Sequence, residues 1–271
     1  MKNILLSILF VLILNSTLYA SGVITQHYQE SVVAECTGWN CEFSDDPNIK
    51  ALYNFESGAL TTDSKGSYTL TANATPAADT GDYIQGAASV DLELDDSDSF
   101  TRSGSTSDFG WATSGEVSIT GWFKAETSVA NSVLFGKGLL GALDNVAIRI
   151  NFTYESRIGI EVDGDDNGTT EAYLQTAATT DGHWIFFAVA IDNTDDAYRI
   201  YTYDGDTSTA VETKTGTLSA SIANLNVAAD INIGHLDSAS YFDGKLDEIT
   251  VWDKELTQTE IEAIRDGTYG K

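Results

Sequence analysis

The stretch VAIRINFTY, residues 146–154, decides the fold class of this 271-residue chain. Apolar and polar residues alternate along its whole length. Ile148 and Ile150 fall on one face of such a segment, and Arg149 and Asn151 fall on the other. Because side chains of a strand point alternately to its two faces, this pattern predicts a β-strand with one face in a core.

Similar segments lie on the C-terminal side of this strand. Residues 158–162 repeat the alternation, and the denser apolar run 185–191 predicts a central strand buried on both faces. The intervening acidic stretches 163–168, 192–196 and 204–206 have the Asp, Asn and Gly content of hairpin loops. Many short strands with such turns predict an all-β, two-sheet antiparallel sandwich.

One helix is predicted near the C-terminus. Thr257 is placed as its N-cap, and Glu260, three residues later, completes a capping box. Leu256 and Ile261 are spaced as a hydrophobic staple, and Gly267 provides an end signal. We expect a short closing helix packed on the sandwich.

The N-terminal region predicts export. Residues 1–20 have the charged start, apolar run and small-residue exit of a secretory signal peptide. Its apolar run, 4–14, is shorter than the ~20 residues of a membrane-spanning helix, and we expect no membrane insertion. The predicted organisation is a signal peptide, a polar lead-in segment at 21–49 and one domain at 50–271, with a secreted product in the periplasm or outside the cell.

Two cysteines, Cys36 and Cys41, lie within the lead-in segment. In an exported chain, such a close pair predicts a local disulfide, because the compartment is oxidising. A metal site would need more ligands than this pair and its neighbours provide.

The charge balance is strongly acidic, with 14 Lys and Arg against 41 Asp and Glu and a formal net charge of −27. Nucleic acid is excluded as a partner, since its binding depends on neutralising phosphates with basic side chains. The acidity has two interpretations, a solvating surface or Asp clusters that bind divalent cations.

The order of several segments carries a family resemblance. These are ALYNFESG at 51–58, VSITGWFKAE at 117–126, DGHWIFFAVAID at 181–192 and YFDGKLDEITVWDKELTQTEIEAI at 241–264. The series resembles the laminin-G-like, concanavalin A-like lectin/glucanase jelly-roll domains of secreted bacterial proteins, over residues 50–268. The resemblance implies a jelly-roll β-sandwich with loops at the rim of a concave sheet.

The resemblance also implies ligands. Members of the family bind glycans, proteins or Ca²⁺, and many hold a structural Ca²⁺ between the first strand and the penultimate one. The matching side chains in this chain are Glu56 and Asp247. Ca²⁺ is therefore the one cofactor expected from the resemblance, and hydrogen bonding at a strand edge is the alternative role of Asp247.

A second calcium candidate comes from the residues themselves. Asp163, Asp165 and Asn167 match the first half of a calcium-binding loop, with oxygen ligands at alternate positions. The twelfth position is Leu174, so a complete EF-hand is excluded, and a plain hairpin is the alternative.

Related glycosidases place their acids as Glu-x-Asp-x-x-Glu, and the nearest match here starts at Glu161 and ends in Asp166. The strand is predicted to end at Gly164, where a third catalytic group would be poorly held. We therefore predict that the protein is not an enzyme.

Exposed aromatic side chains are candidates for stacking on sugars. Trp111 lies in a polar loop between Gly and Ala, and Tyr201 and Tyr203 share one face of a predicted strand. Packing is the alternative role for each. Three further tryptophans lie inside strand-like runs and are predicted to be core residues: Trp122, Trp184 and Trp252.

These features favour a secreted, non-catalytic binding module that recognises carbohydrate or an extracellular protein. Two alternatives are a structural or adhesion component of a surface assembly and, less favoured, a glycoside hydrolase. A hydrolase needs two carboxylates about 5 to 10 Å apart in the concave face, and a lectin would show exposed aromatic side chains on that face or at its rim. A structural protein would show an uncovered apolar patch or a long edge strand.

Overall fold

The computed structural model describes most of the chain from residue 45 onward, within one compact unit, Gly38–Lys271. The described residues are 45–105, 108–111, 116–127, 132–138, 148–153, 155–162, 172–192, 194–218, 225, 228–235 and 241–270. The predicted signal peptide, the lead-in segment up to residue 44, and Cys36 and Cys41 lie outside them.

The strands of the described residues form two antiparallel sheets, of eight and seven strands. In spatial order, the eight-stranded sheet contains β13 (Thr209–Thr217), β12 (Ala197–Asp204), β11 (Ile185–Asp192), β6 (Val117–Ala125), β15 (Gly244–Trp252), β4 (Ser89–Leu92) and β3 (Ala77–Asp79), with β1 (Ile49–Tyr53) paired to β15. The seven-stranded sheet contains β10 (Ala172–Ala178), β9 (Arg157–Val162), β8 (Ile148–Phe152), β7 (Ser132–Lys137), β14 (Ile231–Ile233), β5 (Ser99–Arg102) and β2 (Thr71–Asn73).

This architecture confirms the predicted all-β sandwich. The alternating stretch at 146–154 contains β8, whose Ile148 and Ile150 are fully buried in the core between the sheets. The dense apolar run became β11, which lies between β12 and β6 and is buried on both faces.

Two apolar clusters hold the sandwich together. The main core lies between the sheets, where Phe123 and Phe187 point inward from β6 and β11. Their neighbours in sequence, Trp122 and Phe186, point to the opposite side of the same sheet and belong to a second cluster. The outer face of the eight-stranded sheet is therefore apolar and covered as well.

The second cluster is closed by the helix α1 (Gln258–Arg265). Its Ile261 and Ile264 pack with the tryptophans that the sequence predicted to be core residues, and the prediction of their burial is confirmed: Trp122, Trp184 and Trp252 are each at most 5% exposed. These tryptophans lie under the helix and not between the sheets.

The capping signals of α1 are confirmed. The Thr257 side chain accepts a hydrogen bond from the Glu260 backbone N–H, and the Glu260 carboxylate accepts one from the Thr257 N–H at 2.9 Å. Gly267 follows with a φ of 64°, the left-handed conformation that ends a helix. Among the described residues, no helix has the length and apolar composition that a membrane crossing requires.

Candidate functional site

Strand β15 carries two consecutive buried acids, Asp247 and Glu248, which are 0% and 3% exposed. Adjacent residues of a regular strand point to opposite faces, but β15 has a bulge between Asp247 and Thr250 relative to β6. Glu248 takes a φ of 53° in this bulge. The irregular backbone lets both carboxyl groups be buried.

Each acid has a different set of partners. Oδ2 of Asp247 accepts hydrogen bonds from the backbone N–H groups of Ile84 and Gln85, at 2.8 and 3.1 Å. Both carboxylate oxygens of Glu248 accept from Nδ2 of Asn54, at 2.8 and 3.0 Å. Oδ1 of Asp247 is buried and has no hydrogen-bond partner.

A third carboxylate, that of Glu56, binds the same loop. Its two oxygens accept from the N–H of Ala87 at 3.1 Å. Gly86 lies so close that a Cβ atom there would be 1.5 Å from Oε1 of Glu56. We call Asn54, Glu56, Asp247 and Glu248 the acidic centre, and the segment 82–87 the β3–β4 loop.

The two buried acids of the acidic centre, Asp247 and Glu248, both have raised pKa values. Burial, together with the smaller effect of the neighbouring Glu248 carboxyl, raises the pKa of Asp247 to about 8. Burial also raises the pKa of Glu248 to about 7, against the lowering effect of the Asn54 hydrogen bond. In the described part of the chain, no basic side chain forms an ion pair with either acid. The polar partners that the structure shows for these two acids are N–H groups, those of Ile84 and Gln85 for Asp247 and that of Asn54 for Glu248.

Two calcium sites were predicted from the sequence, one at Glu56 and Asp247 and one in the loop at 163–167. Glu56 and Asp247, which the resemblance implied as Ca²⁺ ligands, both accept hydrogen bonds from backbone N–H groups of the β3–β4 loop, and the calcium site stays a prediction. Among the described residues, no three or more His, Cys, Asp or Glu side chains are grouped as metal ligands. Asp163, Asp165 and Asn167 lie outside the described residues.

A second polar feature crosses the outer face of the seven-stranded sheet. Because Ile150 and Ile160 point into the core, their neighbours Arg149 and Glu161 point outward, and these two form an ion pair between β8 and β9. The strand register continues the row: Thr71, Thr101, Asn232, Gly136, Arg149 and Glu161 lie side by side. We call this set the polar row.

Asn151 lies next to the polar row on the same face of β8. Its side chain is only 7% exposed, and its Oδ1 is buried without a hydrogen-bond partner. A buried acceptor without a donor costs about 1–3 kcal/mol, so such an atom needs an explanation. A bound ligand that donates a hydrogen bond to Oδ1 of Asn151 would be such an explanation.

Two of the three predicted stacking aromatics, Trp111 and Tyr201, are buried, and Tyr203 is partly buried. Trp111 is 1% exposed, and its Nε1 donates to the Trp252 carbonyl at 3.2 Å, so the expectation of an exposed side chain was wrong. Tyr201 is 2% exposed and accepts a hydrogen bond from Arg265 of α1. The same guanidinium lies 4.1 Å from the ring centre of Tyr203. The two tyrosine rings pack with the cluster that α1 closes, whereas Trp111 belongs to the main core between the sheets.

Glu248 and Asn151 were not among the site residues predicted from the sequence, although each had a signal in it. A pair of acids inside the apolar run LDEITVW was the signal for the first, because a regular strand would leave one of them exposed. The polar face of 146–154 was the signal for the second.

Comparison with known proteins establishes the family. The family model of the concanavalin A-like lectin/glucanases superfamily matches residues 79–262, more than half of the chain, and the protein belongs to this superfamily. A comparison with curated protein sequences gives no match.

Solved structures share the fold. Domain 4 of an extracellular arabinanase from Geobacillus stearothermophilus, in complex with arabinotriose, is similar with a TM-score of 0.58 and 15% identity over 80% of this chain and 98% of that one. The binding domain of Paraclostridial Mosquitocidal Protein 1 is similar with a TM-score of 0.60 and 12% identity, over 80% of this chain and 51% of that one. The binding domain of Botulinum neurotoxin DC, in complex with rat synaptotagmin II, is similar with a TM-score of 0.57 and 11% identity, over 82% of this chain and 52% of that one.

Proposed function

We propose that this protein is a secreted, non-catalytic module that binds carbohydrate on the outer face of its seven-stranded sheet. The observation that carries the proposal is Asn151, a nearly buried amide beside the polar row whose Oδ1 has no partner in the protein. On binding, the Asn151 side chain turns outward to meet a sugar hydroxyl, which supplies the donor that the buried Oδ1 lacks.

The two sheets differ in a way that supports this location. The outer face of the eight-stranded sheet is occupied by the second apolar cluster and by α1. The corresponding face of the other sheet carries hydroxyl, amide and guanidinium groups in the polar row. Convergent polar groups of this kind fix the orientation of a small ligand.

The same row argues against hydrolysis. Glycosidases need two carboxyl groups on either side of the scissile bond. The polar row contains one carboxylate, Glu161, and it is committed to Arg149. Among the described residues of the row, no second acid stands opposite it.

The structural neighbours support a ligand of this class. The arabinanase domain is matched over 98% of its length, and its structure contains an oligosaccharide, arabinotriose. The neurotoxin domain is in complex with a protein, so an extracellular protein is the alternative partner.

The test is isothermal titration with arabinotriose and a broader glycan array. Asn151→Ala should remove the binding that occurs at the polar row and leave the thermal midpoint unchanged or higher, because it removes an acceptor that no protein group satisfies. Thr213→Ala, an exposed change on the edge strand β13, is the control. Equal glycan binding by wild type and Asn151→Ala would refute the location, and binding only of proteins would refute the ligand class.

We also propose that a Ca²⁺ ion binds at the acidic centre. The unpartnered Oδ1 of Asp247 and the neighbouring Glu248 carboxylate would hold it, because Ca²⁺ takes carboxylate oxygens together with carbonyls and water. The ion would neutralise two buried carboxylates. A rise of the thermal midpoint with CaCl₂ over EDTA, absent with NaCl of equal ionic strength, is expected. The same rise in Asp247→Asn would contradict this site.

A further inference from the structure

Tyr83 is the one large hydrophobic side chain in the described residues that stands out into solvent, with 42% of its surface exposed. Its hydroxyl makes no hydrogen bond with the protein. Other tyrosines near the surface have a basic group over the ring: Arg102 over Tyr68, Arg265 over Tyr203 and Lys254 over Tyr269. In contrast to these tyrosines, Tyr83 has no basic side chain placed over its ring among the described residues.

The backbone before Tyr83 is held firmly. Oδ1 of Asp82 accepts from Nε1 of Trp184 at 2.7 Å, and Oδ2 accepts from Nζ of Lys124 at 2.9 Å. The Asp82 carbonyl accepts from Oγ of Ser89 at 2.8 Å. Three hydrogen bonds thus hold the residue that precedes the exposed ring.

The backbone after Tyr83 is held as firmly. The amides of Ile84 and Gln85 bind Asp247, and the amide of Ala87 binds Glu56. Ile84 also packs against the second apolar cluster. A loop fixed on both sides of an exposed aromatic has already lost the freedom that ligand binding would otherwise cost.

The side chain of Gln85 supplies hydrogen-bonding capacity on the same loop. It is partly exposed and, like Tyr83, makes no hydrogen bond with the protein. A flat amphipathic ring and a free amide on a rigid loop are groups suited to a polyhydroxylated ligand, which presents C–H faces and hydroxyls.

The charge near the loop selects a neutral ligand. Asp82 is paired with Lys124, and Asp79 lies 3.5 Å from Lys245, so the nearest basic groups are already engaged. The chain as a whole has a net charge of −27. An anionic sugar would meet repulsion without a free cation to bind.

We propose that Tyr83 and Gln85 form a second carbohydrate subsite, which stacks a neutral sugar ring on Tyr83 and lies apart from the polar row. The β3–β4 loop packs on the cluster that covers the eight-stranded sheet, whereas the polar row belongs to the other sheet. The subsite can therefore exist whether or not the polar row binds glycan.

Titration of the ¹⁵N-labelled protein tests this subsite, with backbone amide shifts followed by NMR. The probes are arabinotriose and cellotetraose as neutral ligands and sialyllactose as an anionic one. The neutral probes should shift the amides of residues 83–87. Tyr83→Ala should weaken the affinity measured from these shifts about tenfold, which is about 1.4 kcal/mol and within the range of aromatic stacking. Tyr83→Phe keeps the ring and should retain it.

The outcomes separate this subsite from the polar row. Asn151→Ala should leave the shifts at 83–87 unchanged even if it abolishes binding on the seven-stranded sheet. Identical titrations of wild type and Tyr83→Ala would overturn the subsite, as would shifts confined to the polar row. Equal response to sialyllactose would overturn its selectivity for neutral sugars.

Discussion

Replacing Asp247 by asparagine should remove a pronounced loss of stability at neutral pH. The pKa of Asp247 is raised from 3.8 to about 8 in the folded protein, so its carboxyl is protonated when folded and ionised when unfolded. Unfolding therefore releases a proton, and the free energy of unfolding falls as pH rises from about 4 to about 8. The slope is about 1.4 kcal/mol per pH unit for one such group.

Between pH 5 and pH 7, this slope amounts to about 2.8 kcal/mol from Asp247 alone. For a domain of this size, 1 kcal/mol moves the thermal midpoint by about 2–4 °C, so the expected drop is about 6–11 °C. Glu248, whose pKa is raised to about 7, adds to the wild-type slope in the lower part of this range. Acids whose pKa is lowered, such as Asp204 and Glu260, already give their full stabilisation above pH 5.

The assay is thermal unfolding by circular dichroism from pH 5 to pH 8 in EDTA, for wild type and Asp247→Asn. Asparagine keeps an oxygen for the amides of Ile84 and Gln85 but cannot ionise. We expect a flatter dependence of the midpoint on pH in the variant. Parallel curves for the two proteins would refute the account of Asp247 as a protonated buried acid.

Three further changes test other parts of the structure. Thr257→Ala removes the N-cap of α1 and should cost about 1 kcal/mol in the free energy of unfolding, measured by urea denaturation. Gly86→Ala should cost more than Gly58→Ala, because both have positive φ but only a Cβ at Gly86 meets a side chain, that of Glu56; equal losses would contradict this contact. Phe187→Ala, in the core between the sheets, should cost about 3–5 kcal/mol, measured in the same way.

The sequence predicted the elements whose signals are local. Alternation at 146–154 was sufficient to assign β8 and its two faces, because the side-chain period of a strand is two. The capping box of α1 was readable for a similar reason, since Thr257 and Glu260 are three residues apart and interact directly. Neither inference needed knowledge of distant residues.

Features that depend on distant residues were not predictable. Trp111 looked exposed between Gly and Ala, but the Trp252 carbonyl and the ring of Phe109 surround it in the fold. The burial of Glu248 depends on a bulge in β15 and on Asn54, which lies far away in the sequence. Hydrophobic pattern cannot report either relationship.

The atom of the acidic centre at which a carboxylate and a neutral amide differ is Oδ1 of Asp247. An asparagine at position 247 would accept the hydrogen bonds of the Ile84 and Gln85 amides, as Oδ2 of Asp247 does. At the position of Oδ1, however, an asparagine places two N–H donors, whereas the carboxylate places an acceptor, buried without a donor at a cost of about 1–3 kcal/mol. A cation present at a hundred times its Kd would return about 2.7 kcal/mol, enough to offset that cost. The unpartnered oxygen is thus an unfavourable feature in the cation-free protein and a ligand in the calcium-bound protein that we propose.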